Sequence, residues 1–287
     1  MTARERLVVC ASHSPGMARD VERRFGAEFR AELARVRTQV AEFAPDLTIV
    51  FGGDHRRAFR QVVPAFAIAM SASILPEGGH PAEDIDVAGD VALELTEFLL
   101  ADGFDIAACR AVALDHAFAQ PLRDVGGGTT ANAVIPIPIN CATAPLPAAA
   151  RVLALGEAVG RFLDGLDARV LVIGTGGLSH SPPSLELDAF DISDEERARV
   201  IREGAATART KIRPAWDRRF LQAIEDWDVD TLVTMTDNAR AGGGVGANEL
   251  RTWLAAGAAG GRALRAVSYQ PVEEWITGMG LAVSVAG

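Results

Sequence analysis

The sequence predicts one α/β domain over residues 1–287, with a central mixed, largely parallel sheet flanked by helices. Two observations support this fold class. The chain opens with an apolar strand, a long amphipathic helix and a second apolar strand, which is the order of a βαβ unit. Strand-like and helical segments then keep alternating, and no repeat or long linker divides the 287 residues.

The opening unit is predicted from its apolar patterns. Residues 7–11 and 47–51 are short apolar runs, as expected for buried strands. Between them, apolar side chains recur at steps of three and four over residues 21–43, which predicts a helix ended by Pro45. Residues 76–86 are polar and turn-rich, so we expect a surface loop there.

Later elements follow from the same rules. We predict helices over residues 91–100, 152–166 and 193–212, and strands over 106–112, 135–139 and 170–173. Ser193 and Glu196 form a capping box at the start of the third helix. Alternating prolines place residues 135–139 at an edge of the sheet. Beyond Pro214 the chain is predicted to be mainly helical, apart from a loop over 240–246 and a strand-like tail.

Composition excludes several classes of function. The formal net charge of −10 disfavours nucleic acid or an anionic membrane as the main partner, because both need a basic surface. No membrane-spanning run or secretory signal is visible, so we expect a cytoplasmic protein. Cys10, Cys109 and Cys141 have no paired spacing and are predicted to be buried free thiols.

Four of the five histidines follow strand-like segments directly. They are His13, His55, His116 and His180. Side chains just beyond the carboxyl ends of parallel strands converge on one crevice, so these four are expected to share a site. Imidazole binds metals such as iron and zinc, and it exchanges protons near neutral pH. His80 lies in a polar loop and is not assigned a role.

The stretch GTGGLSHSPP, residues 174–183, contains a glycine-rich turn. A phosphate-binding loop would lead directly into a helix and would carry a basic residue, whereas this one leads into Pro182 and Pro183. We therefore expect the glycines to allow a tight turn and the prolines to stiffen the loop that presents His180.

An iron site of the two-histidine, one-carboxylate kind also needs an acidic residue. Asp54 and Asp115 adjoin histidines, and neighbours on an extended segment point in opposite directions, so they suit support of a ligand better than metal binding. Glu249 opens the segment NELRTWLAA, but a glutamate in the first turn of a helix is also favoured by the helix dipole alone. Spacing leaves this choice open.

Taken together, the segments SHSP, GDH, DHAFAQPL, GTGGLSHSPP and NELRTW resemble the class III (LigB-type) extradiol ring-cleaving dioxygenases. ATAPLP and EWITGMG extend the resemblance, which covers the chain from Leu7 to about Trp275. DHAFAQPL and GGLSHSPP are its most specific parts.

The resemblance implies a function and a set of site residues. Fe(II) would be bound by His13, His55 and Glu249, while His116 and His180 would exchange protons with the substrate. With O2, the enzyme would cleave a 3-substituted catechol such as 2,3-dihydroxyphenylpropionate beside its diol, in the catabolism of aromatic compounds. Asp115, next to His116, is expected to favour the charged form of that ring. We also expect a homo-oligomer.

Three alternatives remain at this point. They are extradiol cleavage of another catechol or an aminophenol, a zinc hydrolase with the same ligands, and a non-catalytic binding protein. Two departures from the family pattern bear on the substrate pocket. Asn248 stands where a compared member of the family has a histidine before the glutamate, and the segment after Pro183 is shorter than in family members.

Overall fold

The computed structural model describes residues 5–77, 80–187, 192–261 and 263–285. In these ranges the strands are β1 (Arg6–Ala11), β2 (Leu47–Gly52), β3 (Ala67–Ala69), β4 (Ala72–Ile74), β5 (Glu83–Ile85), β6 (Ala107–Cys109), β7 (Val112–Leu114), β8 (Ala133–Pro138), β9 (Val170–Thr175), β10 (Leu264–Val272) and β11 (Thr277–Ser284).

The α-helices of the same ranges are α1 (Pro15–Arg19), α2 (Ala27–Phe43), α3 (Gly89–Ala101), α4 (His116–Asp124), α5 (Ala149–Leu163), α6 (Pro183–Glu186), α7 (Asp194–Arg209), α8 (Pro214–Asp226), α9 (Val229–Asp237), α10 (Ala239–Gly243) and α11 (Leu250–Gly260). Val245–Glu249 and Glu273–Trp275 form 3-10 turns. Among the described residues, no helix is both long and apolar enough to cross a membrane.

Six strands form the central sheet in the order β10-β11-β1-β9-β2-β8. The four strands β1, β9, β2 and β8 run parallel, and β11 and β10 are added antiparallel at one edge. This confirms the predicted mixed, largely parallel sheet. The proline-containing strand β8 lies at the other edge, as its sequence predicted.

Register brings the ends of three parallel strands to one level. Ala11 of β1 pairs with Thr175 of β9, and Phe51 of β2 pairs with Gly174 of β9. The loops that follow β1, β2 and β9 therefore start side by side at the same edge of the sheet.

The core covers both faces of this sheet, and alternate residues of β1 face opposite sides. Val8 and Cys10 belong to a buried cluster with α5 and α11, in which Trp253 is the largest side chain. Leu7 and Val9 belong to a second cluster, which includes α2 and α4. Helices on both faces are typical of an α/β fold.

Two elements differ from their predictions: one helix begins later, and one predicted strand is divided into two. Helix α2 begins at Ala27 rather than near Val21, because the Asp20 carboxylate accepts the backbone N–H groups of Arg24 and Phe25 and so holds the chain in a turn. The predicted strand over 106–112 is two strands, β6 and β7. The chain bends at residues 110–111, and the two strands pair with β3 and β4 in separate small sheets.

Other differences are local. The surface loop predicted over 76–86 contains β5, and its residues 78–79 lie outside the described ranges. The loop predicted over 240–246 holds α10 and the start of a 3-10 turn, separated at Gly244, where φ is +95°. The helix over 193–212 ends at Arg209, and Ser193 caps it by accepting from the Glu196 N–H, as predicted. All three cysteines are free, but Cys109 is only half-buried.

Candidate active site

The four strand-following histidines come together in space. His13, His55 and His180 follow the adjacent strands β1, β2 and β9, whereas His116 follows β7 of a small sheet and begins α4. The ring centroids of His13 and His55 are 5.4 Å apart, and the His55 and His116 rings stack at 4.3 Å. The prediction of one shared site therefore holds for all four, although His116 reaches it from a different sheet.

Glu249 places its carboxylate among these rings. It lies at the end of the 3-10 turn that leads into α11 and is buried. Its Oε1 atom is 2.8 Å from His55 Nε2 and 3.8 Å from His13 Nε2, while Oε2 is 3.8 Å from His180 Nε2. Among the acidic residues considered from the sequence, Glu249 is thus the one within reach of three imidazoles.

Each of the four histidines is held through its Nδ1 atom. Nδ1 of His13 is 2.7 Å from Thr175 Oγ1, and Nδ1 of His180 donates to the Leu178 carbonyl at 3.1 Å. The other two bond carboxylates: His55 to Asp115 at 3.0 Å and His116 to Glu77 at 2.8 Å. Each ring therefore keeps its Nε2 atom for the site, an arrangement that orients histidines in metal centres.

Asp115 holds the ring of His55, 60 positions away in the sequence. Its Oδ2 atom accepts from both the backbone N–H and Nδ1 of His55, and Oδ1 caps α4 by accepting from the Ala117 N–H. The hydrogen bonds of Asp115 thus go to His55 and to the start of α4, and its expected effect on the charge of the neighbouring His116 stays a prediction. His116 is instead paired with Glu77.

Glu77 and Thr175 are the contacts that the sequence did not reveal. Glu77 lies in the polar loop before β5, and nothing in PEGGHP distinguishes it from a solvated acidic residue. The backbone groups of Glu77 and exposed His80 bond each other, which closes the turn that carries Glu77. Thr175 lies in the GTGG stretch, for which the sequence analysis assigned a role to the glycines and none to the threonine.

The glycines of GTGG make room for Glu249 and His180. A Cβ atom on Gly176, whose φ is +151°, would lie 2.4 Å from Cβ of Glu249. One on Gly177 would lie 2.7 Å from Cε1 of His180. The Gly177 N–H also donates to Glu249 Oε2 at 2.8 Å. The loop therefore cradles a carboxylate of the protein itself and leads into the turn that presents His180.

Burial and charge act in opposite directions on these groups. Burial lowers the pKa of His13 to about 3 and also lowers the pKa of His180. Burial would lower the pKa of His55 too, but the carboxylates of Asp115 and Glu249 outweigh it and raise that pKa well above its usual range. Burial would raise the pKa of Glu249, but the nearby histidines, His13 foremost, lower it overall. The carboxylate is therefore held ionised.

The donor set fits a divalent transition-metal ion. Two Nε2 atoms and a carboxylate oxygen converge, and the protein fixes the far side of each ring. His13, His55 and His116 also offer three nitrogens within 4.8 Å of one another. Geometry alone therefore allows either Glu249 or His116 as the third ligand beside His13 and His55.

A cavity of about 180 Å³ adjoins the cluster. Its wall includes the four histidines and Glu77, the apolar side chains of Leu185, Ile201, Trp275 and Ile276, and the arginines Arg19, Arg57 and Arg197. An aromatic ring suits such a mostly apolar wall with a few convergent polar groups.

Two residues named in the sequence analysis have structural partners. Asp54 accepts the backbone N–H groups of Arg57, Ala58 and Phe59, so it caps the turn after His55. Asn248 is buried, and its backbone and side-chain oxygens accept from Arg251. Residues 188–191 of the shortened segment after Pro183 lie outside the described ranges.

Comparison with known proteins identifies the class. Residues 7–280 match the family described as the catalytic LigB subunit of aromatic ring-opening dioxygenase. The chain therefore belongs to the LigB family and is an extradiol dioxygenase, which confirms the resemblance and the enzyme class predicted from the motifs. LigB enzymes depend on a metal ion, consistent with the donor set described above.

Individual relatives are similar over nearly their whole length. A Rhodococcus protein named 2,3-dihydroxyphenylpropionate/2,3-dihydroxicinnamic acid 1,2-dioxygenase is 36% identical over 309 residues, covering 98% of both chains. A Klebsiella pneumoniae protein of the same name is 34% identical over 301 residues, covering 94% of this chain and 96% of that one. An uncharacterized Escherichia coli K12 protein shares the fold, with a TM-score of 0.55, 13% identity and coverage of 97% and 99%.

Proposed function

We propose that the chain is a non-haem Fe(II)-dependent dioxygenase that cleaves a 3-substituted catechol, such as 2,3-dihydroxyphenylpropionate, next to its diol. The observation that carries this proposal is the Glu249 carboxylate between His13 and His55, at 3.8 and 2.8 Å from their Nε2 atoms. Two imidazoles and one carboxylate are the ligand set of non-haem iron oxygenases. The names of the similar proteins support this substrate class.

His13, His55 and Glu249 would hold the ion, which would supply Lewis acidity and the means to activate catechol and O2 together. Asp115 acts on this set through His55, whose ring it orients from the Nδ1 side. We therefore assign Asp115 a positioning role.

His180 is suited to accept a proton. Its Nδ1–H donates to the Leu178 carbonyl, so in the neutral ring the lone pair lies on Nε2, which faces the Glu249 side of the site. A catechol hydroxyl bound beside Glu249 would find this lone pair within the same cavity.

His116 is suited to donate one. Its Nδ1 bonds the Glu77 carboxylate at 2.8 Å; burial would raise the pKa of Glu77, but the hydrogen bond with His116 lowers it overall, so the ring is paired with an ionised acceptor. The Nε2–H of that ring would then supply a proton to the substrate as the aromatic ring opens. Burial lowers the pKa of His180, whereas His116 is paired with a carboxylate, so the two rings lie in the different environments that an acid and a base in one site require.

Oxygen uptake tests the proposal. Protein purified anaerobically and loaded with either Fe(II) or Zn(II) is given 2,3-dihydroxyphenylpropionate, other 3-substituted catechols, 3,4-dihydroxybenzoate and 2-aminophenol. We expect the iron form to consume equal amounts of O2 and 3-substituted catechol and to produce the yellow ring-cleavage product. An iron form that consumes no oxygen with any of these compounds would contradict the iron assignment, and faster turnover of 3,4-dihydroxybenzoate would contradict the substrate class.

We also propose a single catalytic domain over residues 1–287, supported by the pairing of β1 with β11 and by site residues from both halves of the chain. The homo-oligomer and the cytoplasmic location stay predictions of the sequence. Light scattering coupled to size-exclusion chromatography measures the first.

A further inference from the structure

Arg57 and Arg197, two of the three arginines that line the cavity beside the histidine cluster, carry this inference. Arg57 follows His55 by two residues, and Arg197 lies in the first turns of α7. Both are half-buried, and the Arg57 side chain is only 13% exposed. They share this cavity with His55 and His116, so a molecule that contacts the histidines lies in the same enclosed space as the two guanidinium groups.

Both arginines have hydrogen-bonding capacity left over. Nη1 of Arg57 donates to the exposed carboxylate of Asp194, but its Nε atom is buried without a partner in the described part of the chain. The Nε atom of Arg197 is likewise buried and without a partner there. A buried N–H donor that has left water and found no acceptor costs free energy.

The charges around Arg197 also favour the binding of an anion in the cavity. Burial lowers the pKa of Arg197, and the positive charge of Arg57 lowers it further, whereas Asp194 and Glu77 raise it. Glu77 is already hydrogen-bonded to His116, and Asp194 is already bonded to Arg57. An additional anion in the cavity would relieve the repulsion between the two cations and give the unpaired N–H groups an acceptor.

We propose that Arg197, assisted by Arg57, binds a carboxylate on the ring substituent of the catechol. A guanidinium group presents N–H donors in a planar fork that matches a carboxylate, which a neutral alkyl substituent cannot replace. The inference rests on the proposed function and makes it narrower, since the preferred substrates are catechols with an anionic side chain beside the diol.

The test compares two substrates that differ only in this group. In 3-propylcatechol a methyl group replaces the carboxylate of 2,3-dihydroxyphenylpropionate, and the readout is the ratio of kcat/KM for the acid over kcat/KM for the alkyl catechol. In Arg197→Gln we expect this ratio to fall roughly 10- to 100-fold, the usual effect of losing a hydrogen bond to a charged group. Arg197→Lys, which keeps the charge but loses the fork, should show a smaller fall.

Arg199→Gln is the matched control, because Arg199 lies on the same helix, is half exposed and bonds only Glu196 and Glu203 among the described residues. Its ratio should equal that of the wild type. An unchanged ratio in both Arg197 variants, or an equal fall in Arg199→Gln, would overturn the inference. If the wild type cleaves both catechols equally well, the carboxylate site is refuted and the proposed function still stands. If the wild type cleaves neither catechol, the proposed function itself is refuted.

Discussion

At the scale of single residues, the partner of each Nδ1 atom divides the four histidines into two groups. His55 and His116 bond carboxylates, and for His55 the nearby carboxylates outweigh burial and raise the pKa well above its usual range. His13 bonds a hydroxyl group and His180 a backbone carbonyl, neither of which adds a charge. Four histidines in one cluster can therefore differ in their chemical properties, because their Nδ1 atoms have different partners.

The first prediction concerns Glu249. Glu249→Ala should lose most of its bound iron, because two imidazoles alone do not fix the ion. Metal analysis after anaerobic gel filtration measures this. Asn248→Ala is the neighbouring control and should keep its iron, since Asn248 contacts Arg251. Full iron content in Glu249→Ala would instead favour His116 as the third ligand, which the 4.8 Å grouping of nitrogens permits.

The second prediction separates the two supporting carboxylates. Asp115→Asn should weaken iron binding by about 10- to 100-fold, the usual effect of losing a group that orients a metal-binding histidine. Glu77→Gln should keep its iron and lower turnover by less than the ~10²- to 10⁴-fold expected for loss of the histidine itself. Iron titration and turnover are measured on both variants. If Glu77→Gln lost iron as Asp115→Asn does, His116 would be a ligand.

The third prediction concerns His116 and His180 themselves. His116→Gln and His180→Gln should retain iron while turnover falls by about 10²- to 10⁴-fold. Their defects should differ: without His180 the catechol binds poorly as its anion, and without His116 it binds but ring opening stalls. Anaerobic catechol binding, followed by absorbance, distinguishes the two. Loss of iron in step with activity would show that the replaced histidine is a ligand.

Part of the residue-scale arrangement could be predicted from the sequence. A histidine after each of three apolar strands implies a shared edge of the sheet, because strand ends converge. Glu77 and Thr175 could not be found in this way, since their bonds to His116 and His13 depend on side-chain directions set by tertiary packing. The same limit explains why adjacency in sequence did not reveal the hydrogen bonds between Asp115 and His55.

At the scale of elements, the loop after β9 fits closely against the turn before α11. This contact supports the fourth prediction. In Gly176→Ala, the new Cβ would lie 2.4 Å from Cβ of Glu249 at a backbone φ of +151°, so we expect destabilisation of about 1–3 kcal/mol and impaired iron binding. Denaturant unfolding and metal analysis measure the two effects.

Gly165→Ala serves as the control for that substitution. Gly165 is exposed, its nearest new contact would be the Phe162 carbonyl at 3.2 Å, and it lies away from the histidines in sequence, after α5. It should bind iron normally. Normal iron content in Gly176→Ala would show that the Glu249 turn can move aside.

Sequence periodicity predicted the long elements better than the short ones. The strands β1, β2 and β9 and the helices α3 and α5 lie close to their predicted positions because each buries an apolar stripe or run, whereas the start of α7 is set by the Ser193 cap. The three-residue strands β3 to β7 carry too few residues for a period, and they form through pairing with distant partners. Helix α4 was not predicted, because it is short, contains Pro121 and begins at His116, directly after the Asp115 cap.

At the scale of the whole molecule, the proposed ligands join distant parts of the chain, from His13 to Glu249. The fifth prediction follows, because an ion that binds only the folded protein stabilises it in proportion to its occupancy. At about 100 times its dissociation constant, Fe(II) should contribute ~2.7 kcal/mol and raise the Tm by about 5 °C. Anaerobic calorimetry with and without a chelator measures this. A Tm increase that persisted in Glu249→Ala would contradict the proposed set.

The position of β1 in the sheet also has a consequence for the order in which the molecule can form. This early strand lies between β9 and β11, so its hydrogen-bonding neighbours start at Val170 and Thr277. While the ribosome makes the chain, its apolar run LVVCA must wait for more than half of the polypeptide before either edge is covered. This strand is therefore exposed to chaperones that recognise extended apolar segments, and His13, the proposed metal ligand that follows it, acquires its neighbour Glu249 only near the end of synthesis.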